Sequence, residues 1–506
     1  MATKFKKIIL SLFLIFSFSF IIWASTNVYQ SLRLFERVFR YVKLYYVEDV
    51  DSDKLIKEAI KGMLSSLDPH SAYLDEKALK ELEIKTKGKY GGLGIIITKI
   101  GDWVTVVAPI EGTPAYRAGI RSGDKIIKIN GESAKGISLD EAVSKMRGEP
   151  GTKITITIKR GDLEPFDVTL IREMIKLKAV PYYGKVGKDI GYIRLSQFIR
   201  GAGKEVKNAI LELKKEGAKK FILDLRGNPG GLLDEAVKVA DNFIDSGKII
   251  VFTKGRNSYR EYRANSPSLI DDEPLVILVD RGSASASEIV AGAVQDWEKG
   301  ILIGDTTFGK GSVQNIYRIS WTEAIKLTTA RYYTPCGRCI DKTDTTKYLL
   351  RNPTAGKEFE SFGKYKIKRK GGGAIIPDIV MKMPKVPQIV DKIARKGLFI
   401  DFAGYYTSKH EELKEEREIE ITEEIFDDFR AFLKRKDFEY SEKDFNEAKP
   451  FIKRTLEMEL SECISGIKGK YKAMLKDDEM VKKAKEILDR VKTLDDLITY
   501  VYTQRR

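Results

Sequence analysis

Disulfide chemistry is all but absent from this sequence: 506 residues carry three cysteines, too few for a disulfide framework. Cys336 and Cys339 form one Cys-x-x-Cys, "CGRC", and Cys463 stands alone. A single pair lacks the second pair that a structural zinc site needs, and its surroundings are not thioredoxin-like. It reads as a local disulfide or as two inert thiols. Histidine is scarcer still, with only His70 and His410, so the ligand-type residues imply neither a metal nor a cofactor. His70, in the turn "LDPHSAYL", has no ligand-like neighbours and reads as a turn or packing residue. His410 lies among charged C-terminal helices and receives no catalytic role. Basic tracts are missing too. The net charge of +16 is spread along the chain with no nucleic-acid motif, so nucleic acid is not an expected partner.

Long apolar runs are missing with one exception. After the basic start "MATKFKK", residues 8–24 form a 17-residue apolar run, "IILSLFLIFSFSFIIWA", the pattern of a signal sequence or signal anchor. A helix of that length spans about 25 Å at ~1.5 Å per residue, marginal for a bilayer core of about 30 Å. Ile22 and Trp23 before Ala24 make a poor small-x-small cleavage pattern, which favours an uncleaved anchor over residues 1–27. Lys4, Lys6 and Lys7 then stay in the cytoplasm by the positive-inside rule. The rest of the chain is expected in the periplasm or outside the cell.

At 506 residues the chain exceeds one core and points to several domains. Residues 28–86 are helical in pattern. Residues 87–175 change to short strands, "GLGIIIT", "DWVTVVAPI", "DKIIKING" and "KITITIKR", with one helix, "SLDEAVSKMR". Residues 176–385 alternate strands and helices, an α/β core in which "DLRGNPGG", "RGSASAS" and "GDTTFGKGSVQ" fall near strand ends, where such sheets gather catalytic groups. Residues 386–506 are charge-rich helices whose apolar stripes are expected to pack on the core or on a second subunit. The fold class is multidomain α+β with helical N- and C-terminal regions.

Within 87–175, Gly91-Gly92-Leu93-Gly94 runs straight into Ile95-Ile96-Ile97-Thr98. Together with "EGTPAYRAGIRSGDKIIKING" this segment resembles a PDZ domain of the bacterial protease type. Glycines before an edge strand let successive N–H groups turn inward as a nest for a terminal carboxylate, while the strand edge pairs with an extended peptide. Gly92, Leu93, Gly94 and Ile95 are the candidate peptide-binding residues.

In "RGSASASEIVAGAVQDW" three alternate serines, Ser283, Ser285 and Ser287, lie between an apolar strand and an apolar helix. Hydrolases place nucleophiles at such turns, yet no histidine is near in sequence to take the proton. The residues alone leave the three serines open, and "SASE" from Ser285 to Glu288 also fits a helix capping box. A base is offered by "GDTTFGKGSVQNIYRI", where Lys310 lies between Gly309 and Gly311 on a strand whose alternation gathers Lys310, Ser312 and Gln314 on one face. A neutral lysine replaces histidine if its pKa falls from about 10.4 by roughly 3 units, about 4 kcal/mol, in a dehydrated setting. Phe308 and the two glycines allow close packing around the amine, and Gln314 can hold it by a hydrogen bond. Alone, the motif would read as a surface lysine in a loop.

It does not stand alone. "LDPHSAYL", the PDZ segment, "DLRGNPGG", "GSASASEIVAGAVQD", "TFGKGSVQ" and "RYYTPCGRCI…IIPDI" follow the order found in the carboxyl-terminal processing peptidases, PDZ-containing Ser-Lys proteases of the tail-specific type. The chain resembles them from about residue 30 to 385. The resemblance implies a ClpP/crotonase-like protease core, Ser285 as nucleophile 25 residues before the base Lys310, and Gln314 as the supporting glutamine. Ser283 and Ser287 then become turn and cap residues. Ala286, next to the nucleophile, and one glycine of "NPGG" are the expected oxyanion donors, Gly231 before Gly230. The expected partners are protein substrates with free C-termini, the membrane through the N-terminal segment, and a second copy through the terminal helices. The competing class is a catalytically inactive PDZ-type adaptor or chaperone, against which Ser285, Lys310 and Gln314 argue. Two features depart from the family pattern: Cys336, where serine is common, and an apparent insertion over 341–373.

Overall fold

A computed structural model describes residues 28–161, 163–342, 352–410, 412–413 and 419–503. The apolar run over 8–24 lies outside the described residues. Among them, no helix is long and apolar enough to cross a membrane.

The segments "IGYIR" (Ile190–Arg194), "KFILD" (Lys220–Asp224), "LVILV" (Leu275–Val279) and "ILIG" (Ile301–Gly304) lie side by side in that order, all parallel. Short runs that are apolar throughout belong in a sheet covered on both faces. Tyr182–Lys185 adds an antiparallel edge and Ile379–Val380 a parallel one, making six strands. One face, carrying Ile193, Phe221, Leu223 and Ile277, is covered by the helices Ala202–Lys215, Leu233–Ala240 and Ala286–Asp296. The opposite face, with Tyr192, Ile222, Val276 and Ile303, is covered by the C-terminal helices Glu479–Asp489 and Leu494–Thr503 through Met480, Ile487, Leu488 and Leu497. A fully buried side chain of this size contributes about 1.5–3 kcal/mol, so without these helices the sheet would turn an apolar face to water. Contact with the core is thus what the last C-terminal stripes make. The preceding helices, over 389–464, close a core of their own around Phe402, Phe426, Phe429 and Phe445.

A second sheet is antiparallel: Ala72–Leu74, Ala324–Tyr333, Ile249–Gly255 and Tyr259–Arg263 in that order, with Ser312–Arg318 also paired to Ala324–Tyr333. Its first strand comes from "LDPHSAYL". The turn expected there exists, since Asp68 accepts from the amides of His70 and Ser71 at 2.7 and 2.9 Å. Helices over 28–45, Ser52–Ser65 and Glu76–Lys87 bear out the helical reading of 28–86, and the short strand after the turn is an addition to it whose cause is tertiary. Ala72–Leu74 finds the free edge of a strand far along the chain.

Between them, Lys89–Gly92 and Glu173–Lys176 form an antiparallel neck, Lys89 opposite Lys176 and Gly92 opposite Glu173. The chain between these strands builds a separate sheet from Ile95–Ile100, Trp103–Pro109, Lys125–Ile129, Lys153–Lys159 and Phe166–Ile171. Alternation in "KITITIK" buries Ile154, Ile156 and Ile158. The helix Leu139–Met146 is capped by Ser138, which accepts from the Glu141 amide. The C-terminal region touches this unit from outside: Asp401 pairs with Lys125 at 3.5 Å, and Gly404 meets Gly123 backbone to backbone.

Candidate active site

The core strand Leu275–Val279 turns through "RGSAS" into the helix Ala286–Asp296. Ser285, at the turn, takes φ +53° and ψ −109°, a conformation costly for a residue with a Cβ. Its neighbours hold it there. Ser283 Oγ donates to Leu225 O at 2.8 Å and accepts from the Asp280 amide at 2.9 Å, while Ser287 Oγ donates to Asn228 O at 2.9 Å. Both of those serines are 0% exposed, so of the three only Ser285, at 9%, keeps any contact with solvent.

The "NPGG" loop lies directly against it. A Cβ on Gly230 would sit 2.7 Å from Ala284 O and 2.9 Å from both Ala286 N and Ser285 Cβ, at φ +97°. Only glycine allows that approach. The Gly230 amide is engaged, donating to Asn228 Oδ1 at 2.9 Å. The amides of Gly231 and of Ala286, the first residue of its helix, donate to no protein group among the described residues.

Lys310 approaches from the second sheet, just before Ser312–Arg318. Burial first, and then the Lys326 ammonium, push its amine below the ordinary lysine value, against an opposing pull from the Glu288 carboxylate. Among the described residues, Lys310 Nζ and Ser285 Oγ make no hydrogen bond to each other; what joins these two residues is their backbones. Among the described residues, Gln314 makes no hydrogen bond to the Lys310 amine; its Nε2 donates to Ser312 Oγ at 2.8 Å and Thr328 Oγ1 at 3.3 Å on the same hairpin. Thr328 in turn donates to Asp68 at 3.1 Å, which ties the hairpin to the N-terminal turn. Phe308 is likewise corrected: it is 56% exposed. The close approach its flanking glycines allow is to 341–342, since a Cβ on Gly311 would lie 2.3 Å from Asp341 N. His70 also belongs to this side. Burial, and then repulsion from Lys310, lower its pKa.

One carboxylate joins the two sides. Glu288, 0% exposed, accepts on Oε2 from the amides of Ser285 and Lys310 at 2.8 and 2.9 Å, and on Oε1 from Gly309 N at 2.7 Å and Thr307 Oγ1 at 2.5 Å. Burial pushes its pKa up to about 7. Its only signal in the sequence was the capping box.

A second carboxylate, Asp224, orders the start of the glycine loop. It accepts from Tyr192 OH at 2.6 Å and from Arg226 Nε and Nη2 at 3.0 and 2.6 Å. Burial alone would raise its pKa, yet Arg226 and Arg194 hold it below the usual carboxylate value. Sequence reasoning placed "DLRGNPGG" at the site without assigning Asp224 or Arg226. The "CGRC" loop braces the far end of the serine's helix, with Cys336 N on Asp296 at 3.0 Å and Arg338 on Asp296 at 2.5 Å. Cys336 and Cys339 are free thiols, both pushed up to about 11 by burial. In the neck-borne unit, Gly92 ends the neck, and the carbonyls of Leu93 and Gly94 accept from Ala115 and Ile110 at 3.1 and 2.8 Å. Ile95 opens the first strand of that sheet.

An open serine on a strand-to-helix turn, with two free amides and a depressed lysine beside it, has the parts for acyl transfer. Comparison with known families gives the class. Residues 189–347 match peptidase family S41, 105–160 a PDZ domain, 23–78 the activating protease CtpB N-terminal domain, and 389–443 a probable PDZ-protease C-terminal helical domain. The protein is a serine peptidase carrying a PDZ domain. The carboxy-terminal-processing protease of Bartonella bacilliformis is 45% identical over 343 residues, covering 66% of this chain and 78% of that one. A probable CtpA-like serine protease of Staphylococcus aureus is 42% identical over 333 residues, covering 64% of this chain and 66% of its own length. Among solved structures, the photosystem II D1 C-terminal processing protease is 28% identical, covers 68% of this chain and 85% of its own, and has a TM-score of 0.39. The chain belongs to the carboxy-terminal-processing proteases of peptidase family S41.

Proposed function

We propose that this C-terminal-processing protease cuts peptide bonds with a Ser285–Lys310 dyad through an acyl-enzyme. Neutral Lys310 accepts the Ser285 Oγ proton as Oγ attacks the scissile carbonyl carbon. The amides of Ala286 and Gly231 receive the oxyanion. Collapse of the tetrahedral intermediate expels the amine, which takes the proton from the Lys310 ammonium. Water, deprotonated by neutral Lys310, then attacks the acyl carbon, and collapse of the second tetrahedral intermediate expels Ser285 Oγ, which takes the proton back from the Lys310 ammonium. Gln314 positions the hairpin that carries the base. The observation that carries the reading is the single Glu288 oxygen on which both the Ser285 and Lys310 amides converge, at 2.8 and 2.9 Å. Apo sites commonly leave such a base–nucleophile bond unmade until substrate arrives.

Substrate tails are read by the turn Gly92, Leu93, Gly94 and Ile95, with the terminal carboxylate on its amides. The division into 1–27, 28–86, 87–175, 176–385 and 386–506 fits the neck strands, which bracket the PDZ unit. The apolar run over 8–24 supports export and an anchor in the inner membrane, with the body in the periplasm or another extracytoplasmic space. Exposed Leu32, Phe35, Val38 and Tyr41 on the helix over 28–45 support contact with a second copy.

The test compares Ser285→Ala with Ser283→Ala and Ser287→Ala on an unstructured substrate bearing a free or an amidated C-terminus. Ser285→Ala is expected to abolish cleavage. Ser283→Ala loses two hydrogen bonds and Ser287→Ala one, each worth about 1 kcal/mol, and both variants keep a substantial part of the activity. Amidation is expected to weaken handling by about 1–3 kcal/mol, the scale of a charge-assisted bond left unmade. Full turnover by Ser285→Ala removes the nucleophile, and equal handling of acid and amide removes tail reading.

A further inference from the structure

The glycine loop that carries Gly231 is fixed at a series of points. The Gly227 amide donates to Asp280 at 2.7 Å, Asn228 Nδ2 to Leu195 O at 2.8 Å, and Gly230 N to Asn228 Oδ1 at 2.9 Å. At the head of the loop stands Arg226. Its guanidinium is held from two sides: Nε and Nη2 on Asp224, and Nη1 on both oxygens of Asp478 at 3.0 and 2.9 Å. Asp478 lies 252 residues further along the chain and outside the peptidase core.

Asp478 caps the helix Glu479–Asp489, accepting from the amides of Met480 and Val481 at 3.0 and 3.1 Å. Asparagine or serine would cap that helix about as well, so capping does not explain a carboxylate whose side chain is 3% exposed. The charge faces Arg226, with Arg454 of the long helix Glu442–Lys476 reaching the same carboxylate at 3.4 Å. A buried guanidinium that loses one of its carboxylates is left under-compensated and moves to find another partner. Any such movement starts at the first residue of the loop.

We propose that Asp478 is a positioning residue for the oxyanion loop: through Arg226, the C-terminal helical region supplies part of the order that aims the Gly231 amide. The inference rests on the reading of Gly231 and Ala286 as oxyanion donors. It makes these C-terminal helices a working part of the peptidase as well as a cover for its sheet.

The experiment uses the full chain, with Asp478→Asn and Asp478→Ser, which keep a capping oxygen but drop the charge, and Leu488→Ala as a control. Leu488 is buried against the same sheet face and has no part in the Arg226 contacts. Three quantities are read: kcat and KM on a free-tailed peptide, the rate of Ser285 labelling by a fluorophosphonate, and the thermal midpoint. In whichever neutral Asp478 variant folds, kcat and labelling rate are expected to fall about 10-fold or more with KM unchanged, less than the loss of a whole oxyanion donor. Leu488→Ala is expected to lose thermal stability and keep kcat. An Asp478 variant that labels and turns over like wild type overturns the positioning role, as does one whose loss only parallels its thermal shift in the way Leu488→Ala does. A wild-type protein that is not labelled at Ser285 brings down the underlying site reading as well, which separates the two failures.

Discussion

The serine side and the lysine side of this site are built on opposite plans. Around Ser285 almost every polar group is spent: Ser283, Ser287, Asn228 and Gly230 all bond within the turn and the glycine loop. Around Lys310, Phe308 is exposed, the amine has no bond to Ser285 Oγ, and the hairpin leans on the turn at Asp68. Ser285, the proposed nucleophile, is thus set by interior packing, and Lys310, the proposed base, by a sheet at the margin of the core. A strained Ser285 needs the first plan, because only saturated surroundings hold a left-handed residue in place. A lysine that changes its charge in each cycle, as the proposed mechanism requires, is better served by the second.

The contrast predicts that changes on the lysine side strike activity and those on the serine side strike stability too. Lys310→Arg is the sharpest test. Guanidinium stays charged and cannot accept the proton, so peptidase activity is expected to drop by about 100-fold to 10,000-fold, the range assigned to a general base, while the thermal midpoint barely moves. A Lys310→Arg protein that cleaves normally sends the search for a base elsewhere. Glu288 would be a poor successor, since its two oxygens already serve four donors. Asp305 is bound to Arg281 at 2.8 Å.

Gly230→Ala probes the other side. Its methyl would press on Ala284 O, Ala286 N and Ser285 Cβ at a positive φ, so a loss of about 1–3 kcal/mol is expected in denaturant unfolding, together with loss of cleavage. A stable but inactive Gly230→Ala protein would blur the distinction between the sides.

The smallest effect is a shift in pH. With Lys310 as the proposed base, activity requires the neutral amine and is expected to rise with pH along a limb set by its depressed pKa. Lys326 is one of the groups that depress it. Lys326→Gln removes that repulsion, raises the Lys310 pKa and moves the limb of kcat/KM to higher pH. An unmoved limb, or one displaced to lower pH, would mean that this lysine does not set the titration.

The serine side was the more legible of the two in sequence. Continuous apolar strands and glycine pairs are local and put the serine turn, the glycine loop and the lysine motif near strand ends, whereas the choice of Ser285 among three serines and of Gly231 rested on the resemblance carried by motif order. Glu288 was visible as a helix cap. That pattern looks the same whether the carboxylate serves its own helix alone or also receives the amides of Gly309 and Lys310, because the second role is tertiary. Gln314 shows the converse limit. Alternation puts it on the face of Ser312, but which neighbour takes its amide depended on Thr328 across the hairpin. The reach of Asp478 to Arg226 had no local trace, and the strand Ala72–Leu74 none beyond its turn.

The antiparallel pair Lys89–Gly92 and Glu173–Lys176 makes the PDZ unit, in topological terms, the tip of a hairpin. Its two ends are already side by side, so the protease core meets the same two stubs whatever the length or content of the chain between them. The cost in entropy of closing that loop is set at the stubs and grows only slowly with added residues. A recognition unit attached in this way can be lengthened, exchanged or re-aimed over evolutionary time while Ser285, Glu288 and Lys310, which lie wholly on the core's side of the stubs, keep their register.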